Sequence, residues 1–192
     1  MVDDACFNSI PILSAVISLY KIGKTINEAF HIKKLARFLL SLQNGIKNKK
    51  TEKYKRKILD DEVFAQKQLD YLLIILERYL QEEKADILSK FFLAYLDEEI
   101  TWNKFLSFSM SLDFLTMDDI KLIGLFSIST YENGGENSSS IARLVANGLF
   151  IEKIPEARFA EENSSLIIKQ NKFREYILTN DGYIFNECLK KH

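Results

Sequence analysis

The sequence predicts a mainly α-helical protein, in which a helical bundle is followed by a modified winged-helix (α+β) unit with a small antiparallel sheet. Apolar side chains recur at helical spacing along most of the chain, and only seven Gly and two Pro interrupt its 192 residues. Capping motifs divide this pattern into short helices. From Ser138 onwards, a helix, a strand, a polar loop and further strands precede a Leu-Thr-x-x-Gly step into a last helix. This order of elements is the outline of a winged helix.

Residues 1–113 are predicted to form the helical bundle, which contains the basic loop. Five helices are expected there, and their starts are marked by Ser9, Thr25, Asp60, Glu83 and Thr101. Their apolar stripes are wide and rich in aromatic residues, and burying each large side chain stabilises the fold by about 1.5 to 3 kcal/mol. These helices are therefore expected to pack against one another.

Residues 114–192 are predicted to form the winged-helix unit. A capping box at 116–119 opens a helix that is expected to end near Ser129, and a Ser-capped helix then ends at Asn147-Gly148. Gly182 is expected to allow a close turn into the last helix. Strands are predicted at 149–154, 166–169 and 173–178, with residues 154–164 as the wing.

The charge of the chain is unevenly distributed. Residues 21–57 contain twelve basic and two acidic residues, a net charge of +10, whereas the whole chain carries −1. A basic segment of this kind can meet phosphate or anionic lipid, although it can also be a solvated connector that offsets the acidic helices. The candidate anion-binding residues are Lys47, Lys49, Lys50, Lys53, Lys55, Arg56 and Lys57.

The predicted winged-helix unit has too little positive charge to favour nucleic-acid binding. Residues 111–192 contain twelve acidic and nine basic residues, and the helix in the position of a recognition helix has a single basic residue, Arg143. DNA binding depends on neutralising phosphates with Lys and Arg. Arg143 is therefore the one candidate nucleic-acid contact on this helix, and the unit is expected to act mainly in packing and interaction.

No catalytic or metal-binding motif is found in the sequence. The two histidines, His31 and His192, lack a second His or Cys at ligand spacing, and the two cysteines, Cys6 and Cys188, are far apart. Acidic clusters stand where helices begin or end, where capping explains them. We therefore predict a protein that is not an enzyme and binds no cofactor or metal.

The tail of the chain resembles a known group of proteins. The residues 144–150, then Tyr176-Ile-Leu-Thr179 with Gly182, Phe185 and Cys188, are similar to the C-terminal end of the abortive-infection alpha-type proteins of bacteria and prophages. The resemblance covers about a quarter of the chain. It implies a role in phage exclusion or in the regulation of a prophage.

The sequence as a whole favours a cytoplasmic, non-enzymatic adaptor or regulatory protein of a bacterial mobile element or phage-defence system that acts through protein–protein contacts. One alternative is a DNA-binding regulator that uses residues 47–57 and the winged helix. Another is a peripheral membrane-surface protein, because residues 10–20 place apolar side chains on one face of a helix. Homodimers are expected if part of the bundle's aromatic set is exposed: Phe91, Phe92, Tyr95, Trp102, Phe105 and Phe108.

Overall fold

The computed structural model of the protein describes residues 26–45, 62–125, 129–132, 137–153, 159–162, 165–168 and 173–191. The described helices are α1 (Ile26–Gly45), α2 (Glu62–Arg78), α3 (Glu83–Leu96), α4 (Trp102–Phe114), α5 (Met117–Leu125), α6 (Ser138–Ala146) and α7 (Asn180–Lys191). The described strands are β1 (Ser129–Glu132), β2 (Phe150–Lys153), β3 (Phe159–Glu162), β4 (Ser165–Ile168) and β5 (Phe173–Leu178). The predicted fold class is confirmed: the chain is mainly helical, with a helical bundle and a small α+β unit.

The described chain divides into two compact units. The first contains the described residues up to Asp113 together with 188–191, and the second contains the described residues from Phe114 to Glu187. The predicted helix over 9–23 and the basic segment 47–57 lie outside the described residues.

Helices α1 and α3 pack side by side in the first unit and run in the same direction. Arg37 on α1 donates to Asp86 on α3, with Nε and Oδ2 3.0 Å apart, and one turn further along the Ser89 hydroxyl donates to the Ser41 hydroxyl at 2.6 Å. Leu35, Phe38, Leu39 and Leu42 of α1 are buried, so the apolar stripe predicted for this helix faces the core.

Helices α3 and α4 are antiparallel and are held together by aromatic side chains. The rings of Phe92 and Phe105 are 5.6 Å apart, as are those of Phe91 and Phe108, and all four residues are buried. Most of the predicted aromatic set is therefore core, which agrees with its helical spacing.

The turn between α3 and α4 has an unusual backbone conformation. Glu98 has a φ of +59°, a left-handed conformation that glycine adopts more readily, and Glu99 N–H donates to the Ala94 carbonyl at 2.9 Å. Such a conformation costs a non-glycine residue about 1 kcal/mol. Thr101 then caps α4 as predicted, since its hydroxyl accepts from Lys104 N–H at 3.2 Å.

The second unit starts with the predicted capping box. Asp119 N–H donates to the Thr116 hydroxyl at 3.3 Å, and Thr116 N–H donates to Asp119 Oδ2 at 2.7 Å. The resulting helix, α5, ends at Leu125 and not near Ser129 as predicted. Residues 129–132 instead form β1, because β5 offers them a hydrogen-bonding partner strand.

The sheet of the second unit has the strand order β1-β5-β2, and all of its pairs are antiparallel. Phe150 lies opposite Leu178, and Ser129 lies opposite Tyr176. The predicted wing contains a strand, β3, which pairs with β4 as a separate hairpin. The order of elements from α6 to α7 agrees with the predicted order of a helix, strands and a last helix.

Helix α6 ends in a Schellman motif, as the predicted Asn147-Gly148 stop suggests. Gly148 has a φ of +69°, Leu149 N–H donates to the Leu144 carbonyl at 3.0 Å, and Gly148 N–H donates to the Val145 carbonyl at 2.9 Å. At the helix start, Asn137 occupies the N-cap position without a side-chain hydrogen bond, so the prediction of a serine cap is wrong.

Hydrogen bonds of the Leu-Thr-x-x-Gly segment connect the start of α7 to the residues just before β2. The Thr179 hydroxyl accepts from Gly182 N–H at 2.9 Å and donates to the Gly148 carbonyl at 2.6 Å. A Cβ atom at Gly182 would overlap the Leu149 carbonyl oxygen, which is backbone and has little freedom to move. Close packing therefore requires glycine here, whereas the predicted turn is not found, because Gly182 lies in the first turn of α7.

We expect Gly182→Ala to lower the free energy of unfolding by about 2 kcal/mol, because the added methyl group must displace the backbone at Leu149. Chemical unfolding followed by circular dichroism measures this loss. Gly124→Ala is a matched control, since a Cβ atom at Gly124 meets no described atom within 4 Å. Equal stability of the two variants would contradict the packing argument.

Candidate functional site

The structure describes one of the eight predicted site residues, Arg143 on α6. The seven basic residues between Lys47 and Lys57 lie outside the described residues. Among the predicted site residues, the structure therefore tests the role of Arg143 alone.

Arg143 forms a two-point ion pair with Asp119 on α5. Its Nε donates to Asp119 Oδ2 at 2.7 Å, and its Nη2 donates to Asp119 Oδ1 at 2.8 Å. The Asp119 side chain is fully buried, whereas the Arg143 side chain is 38% exposed. Its hydrogen bonds to Asp119 raise the pKa of the Arg143 guanidinium. Arg143 thus has a structural role, and two of its donors are directed away from any phosphate.

The Asp119 carboxylate is stabilised in its charged form. Burial alone would raise the pKa of this carboxyl group, but hydrogen bonds from Arg143, Ser140 and Thr116 outweigh that effect and lower the pKa from 3.8 to about 2. A buried charge needs such compensation. The ion pair links α5 to α6, and its two residues are 24 positions apart in the chain.

The outer face of α6 carries no charge. Ile141 and Leu144 point into the core, and Arg143 and Ser140 lie at the border. The exposed positions of this helix are Ser138, Ser139, Ala142, Val145 and Ala146. A face of small, uncharged side chains is suited to close contact with another protein surface and offers no cation to a phosphate backbone.

Two lysines are buried among the described residues of the first unit, and both bind carbonyl groups at helix ends. Lys34 Nζ donates to the carbonyl oxygens of Glu77 at 2.9 Å and Tyr79 at 2.8 Å, at the end of α2. Lys84 Nζ donates to the Asp113 carbonyl at 3.0 Å, in the last turn of α4. Lysines here satisfy carbonyls that lack helical partners and complement the helix dipole.

His31 is the one histidine that the structure describes. Burial lowers the pKa of its imidazole, and the nearby Lys34 ammonium lowers it further. Burial also lowers the pKa of Lys34. The contacts of Lys34 with helix carbonyls assign it a structural role, and no nucleophile–base pair is formed by these groups.

Among the described residues, no group of three or more His, Cys, Asp or Glu side chains is arranged to hold a metal ion. None of the helices described by the structure is long and apolar enough to cross a membrane.

Comparisons with protein-family models, with curated proteins and with solved structures find no match to this chain. The resemblance of the tail to abortive-infection proteins therefore stays a prediction.

Sequence reasoning identified Arg143 but missed its partner. The local sequence identifies Asp119 only as part of a capping box, because its second role depends on α6 folding back onto α5. The signal in the sequence was a lone arginine on a helix that otherwise lacks charge. An isolated charge at the border of an apolar helix face is often paired with a buried partner.

We expect Asp119→Asn to destabilise the second unit by about 2 kcal/mol or more, because it removes the charge that compensates Arg143 and weakens the cap of α5. Hydrogen exchange of the α5 and α6 amides measures the local loss. Asp118→Asn is the matched control, since Asp118 is 83% exposed on the same helix.

The Asp119 carboxylate should make the stability of the second unit depend on pH. Its folded-state pKa lies below its unfolded value, so its contribution to stability is present above pH 3.8 and is lost as the pH falls towards about 2. The Asp119→Asn variant should lose this part of the pH dependence. Retention of the full wild-type pH profile in that variant would contradict the assignment.

Proposed function

We propose that the protein is a non-enzymatic adaptor or regulatory protein that acts through protein–protein contacts, in a bacterial mobile element or phage-defence system. The observation that carries the proposal is the uncharged outer face of α6, together with the withdrawal of Arg143 into its ion pair with Asp119. The association with phage defence rests on the resemblance of the tail alone.

Two features of the second unit support protein contact over nucleic-acid contact. A recognition helix that binds DNA places basic or amide side chains towards the groove, and the exposed positions of α6 hold Ser, Ala and Val. The sequence of β3 also ends in two acidic residues, Glu161-Glu162. Negative charge there would repel phosphate.

The proposal predicts that Ala142→Glu abolishes binding of the protein's partner, because a buried, unpaired carboxylate is costly at an interface. The tagged chain is purified from its host, and the associated proteins are identified and then rebound in purified form. Ser107→Glu is the control, since it adds the same charge at an exposed position of α4.

Circular dichroism establishes that both variants remain folded. A partner that binds the Ser107→Glu variant and not the Ala142→Glu variant supports the proposal. Equal binding to both variants, or the absence of any purified partner that rebinds, would reject α6 as the contact face.

A second candidate function is DNA binding through the basic segment, and the charge of +10 over residues 21–57 favours it. If this function is correct, the protein will be retained on heparin and duplex DNA, and retention will fall steeply with salt because counterions are released on binding. Retention will be lost when Lys49, Lys50, Lys53 and Arg56 are replaced by Glu. Absence of retention at low salt would exclude this function.

A further inference from the structure

The outer face of α2 carries large apolar side chains that the core does not use. Val63, Tyr71 and Ile74 are exposed, with 80% of Val63 and 56% of Ile74 open to solvent. Leu72 and Leu76, on the opposite face of the same helix, are buried. Among the described helices, α2 has the most exposed side chains of this kind. Single exposed apolar residues are common, whereas several on one face indicate a contact surface.

Two charged residues lie between the exposed apolar ones. The outer stripe of α2 consists of Val63, Lys67, Asp70 and Ile74, at successive spacings of four, three and four residues. This is the spacing of the contact seam of a coiled coil, so the four side chains follow one another along one face of the helix. All four are exposed, and Asp70 accepts a hydrogen bond from Gln66 Nε2 at 2.8 Å on the same face.

We propose that the outer stripe of α2 pairs with the same stripe of a second copy of the chain, with the two helices antiparallel. A two-fold axis halfway between Lys67 and Asp70 places Lys67 of each copy opposite Asp70 of the other. The same axis places Val63 opposite Ile74 at both ends of the stripe. The stripe is therefore complementary to itself in charge and in apolar character.

The charge pattern selects both the occupant and its orientation. In a parallel pair, Lys67 would face Lys67 and Asp70 would face Asp70, and like charges placed opposite each other are unfavourable. A wholly apolar partner would bury both charges without counter-charges, which is costly. Two charged layers also fix the register of the paired helices. The inference concerns the first unit and does not rest on the contact proposed for α6.

Exchanging the charges tests the pairing. Sedimentation of the full chain over a range of concentrations measures its dimer Kd. Lys67→Asp and Asp70→Lys should each raise this Kd about tenfold or more, because each places like charges opposite one another in both layers. An equimolar mixture of the two variants should restore association, since every charged layer of the mixed dimer then holds one acidic and one basic residue.

The apolar ends of the stripe are tested separately. Ile74→Glu should raise the dimer Kd about tenfold or more, because it introduces an unpaired carboxylate opposite Val63. Leu80→Glu is the matched control, since it makes the same kind of change at an 87% exposed position outside the stripe, and it should leave the Kd unchanged. Circular dichroism establishes that the variants remain folded.

Three results would overturn the proposal. These are a wild-type chain that is monomeric at every concentration, single charge variants that dimerise as the wild type does, and a mixture of the two variants that associates no better than either alone. A monomeric wild type that binds a purified partner, with binding lost in Ile74→Glu and kept in Leu80→Glu, would assign the stripe to that partner instead.

Discussion

Asp119 is a fully buried carboxylate, and burying a charge is unfavourable unless donors surround it. Its donors come from two places, the backbone at the start of α5 and the guanidinium of Arg143 on α6. One side chain thus fixes where α5 begins and how α6 is rotated against it. That rotation directs Ile141 and Leu144 into the core. The second unit depends on this interaction because α5 and α6 are both short helices, which are unstable without tertiary contacts.

The same interaction has a consequence for function. Because Arg143 is held against Asp119, the exposed face of α6 is left without charge. The positive charge of the chain is concentrated instead in residues 21–57, and the rest of the chain carries −11. The proposed contact with proteins and the alternative contact with anions therefore involve different parts of the chain. A fold alone would not reveal this separation, since fold and function are only loosely connected.

The features that could be predicted from the sequence are local ones. The cap at Thr101, the box at 116–119 and the stop at Gly148 each depend on a few consecutive residues. The features that were missed depend on distant partners. Strand β1 forms because β5 lies beside it, and a four-residue Ser-Thr-Tyr-Glu run has too little pattern to indicate a strand. The Asp119 pair likewise requires two helices to meet.

The aromatic residues of α3 and α4 show most clearly what the local sequence pattern cannot predict. Phe92, Tyr95, Trp102 and Phe105 all have helical spacing, and nothing in that spacing separates core from surface. The separation arises because α3 and α4 are antiparallel, so that residues near the connecting turn lie at the end of the bundle, where packing is incomplete. Tyr95 and Trp102 are those residues, and both are half-buried. The antiparallel pairing thus buries the phenylalanines and leaves parts of two other rings exposed.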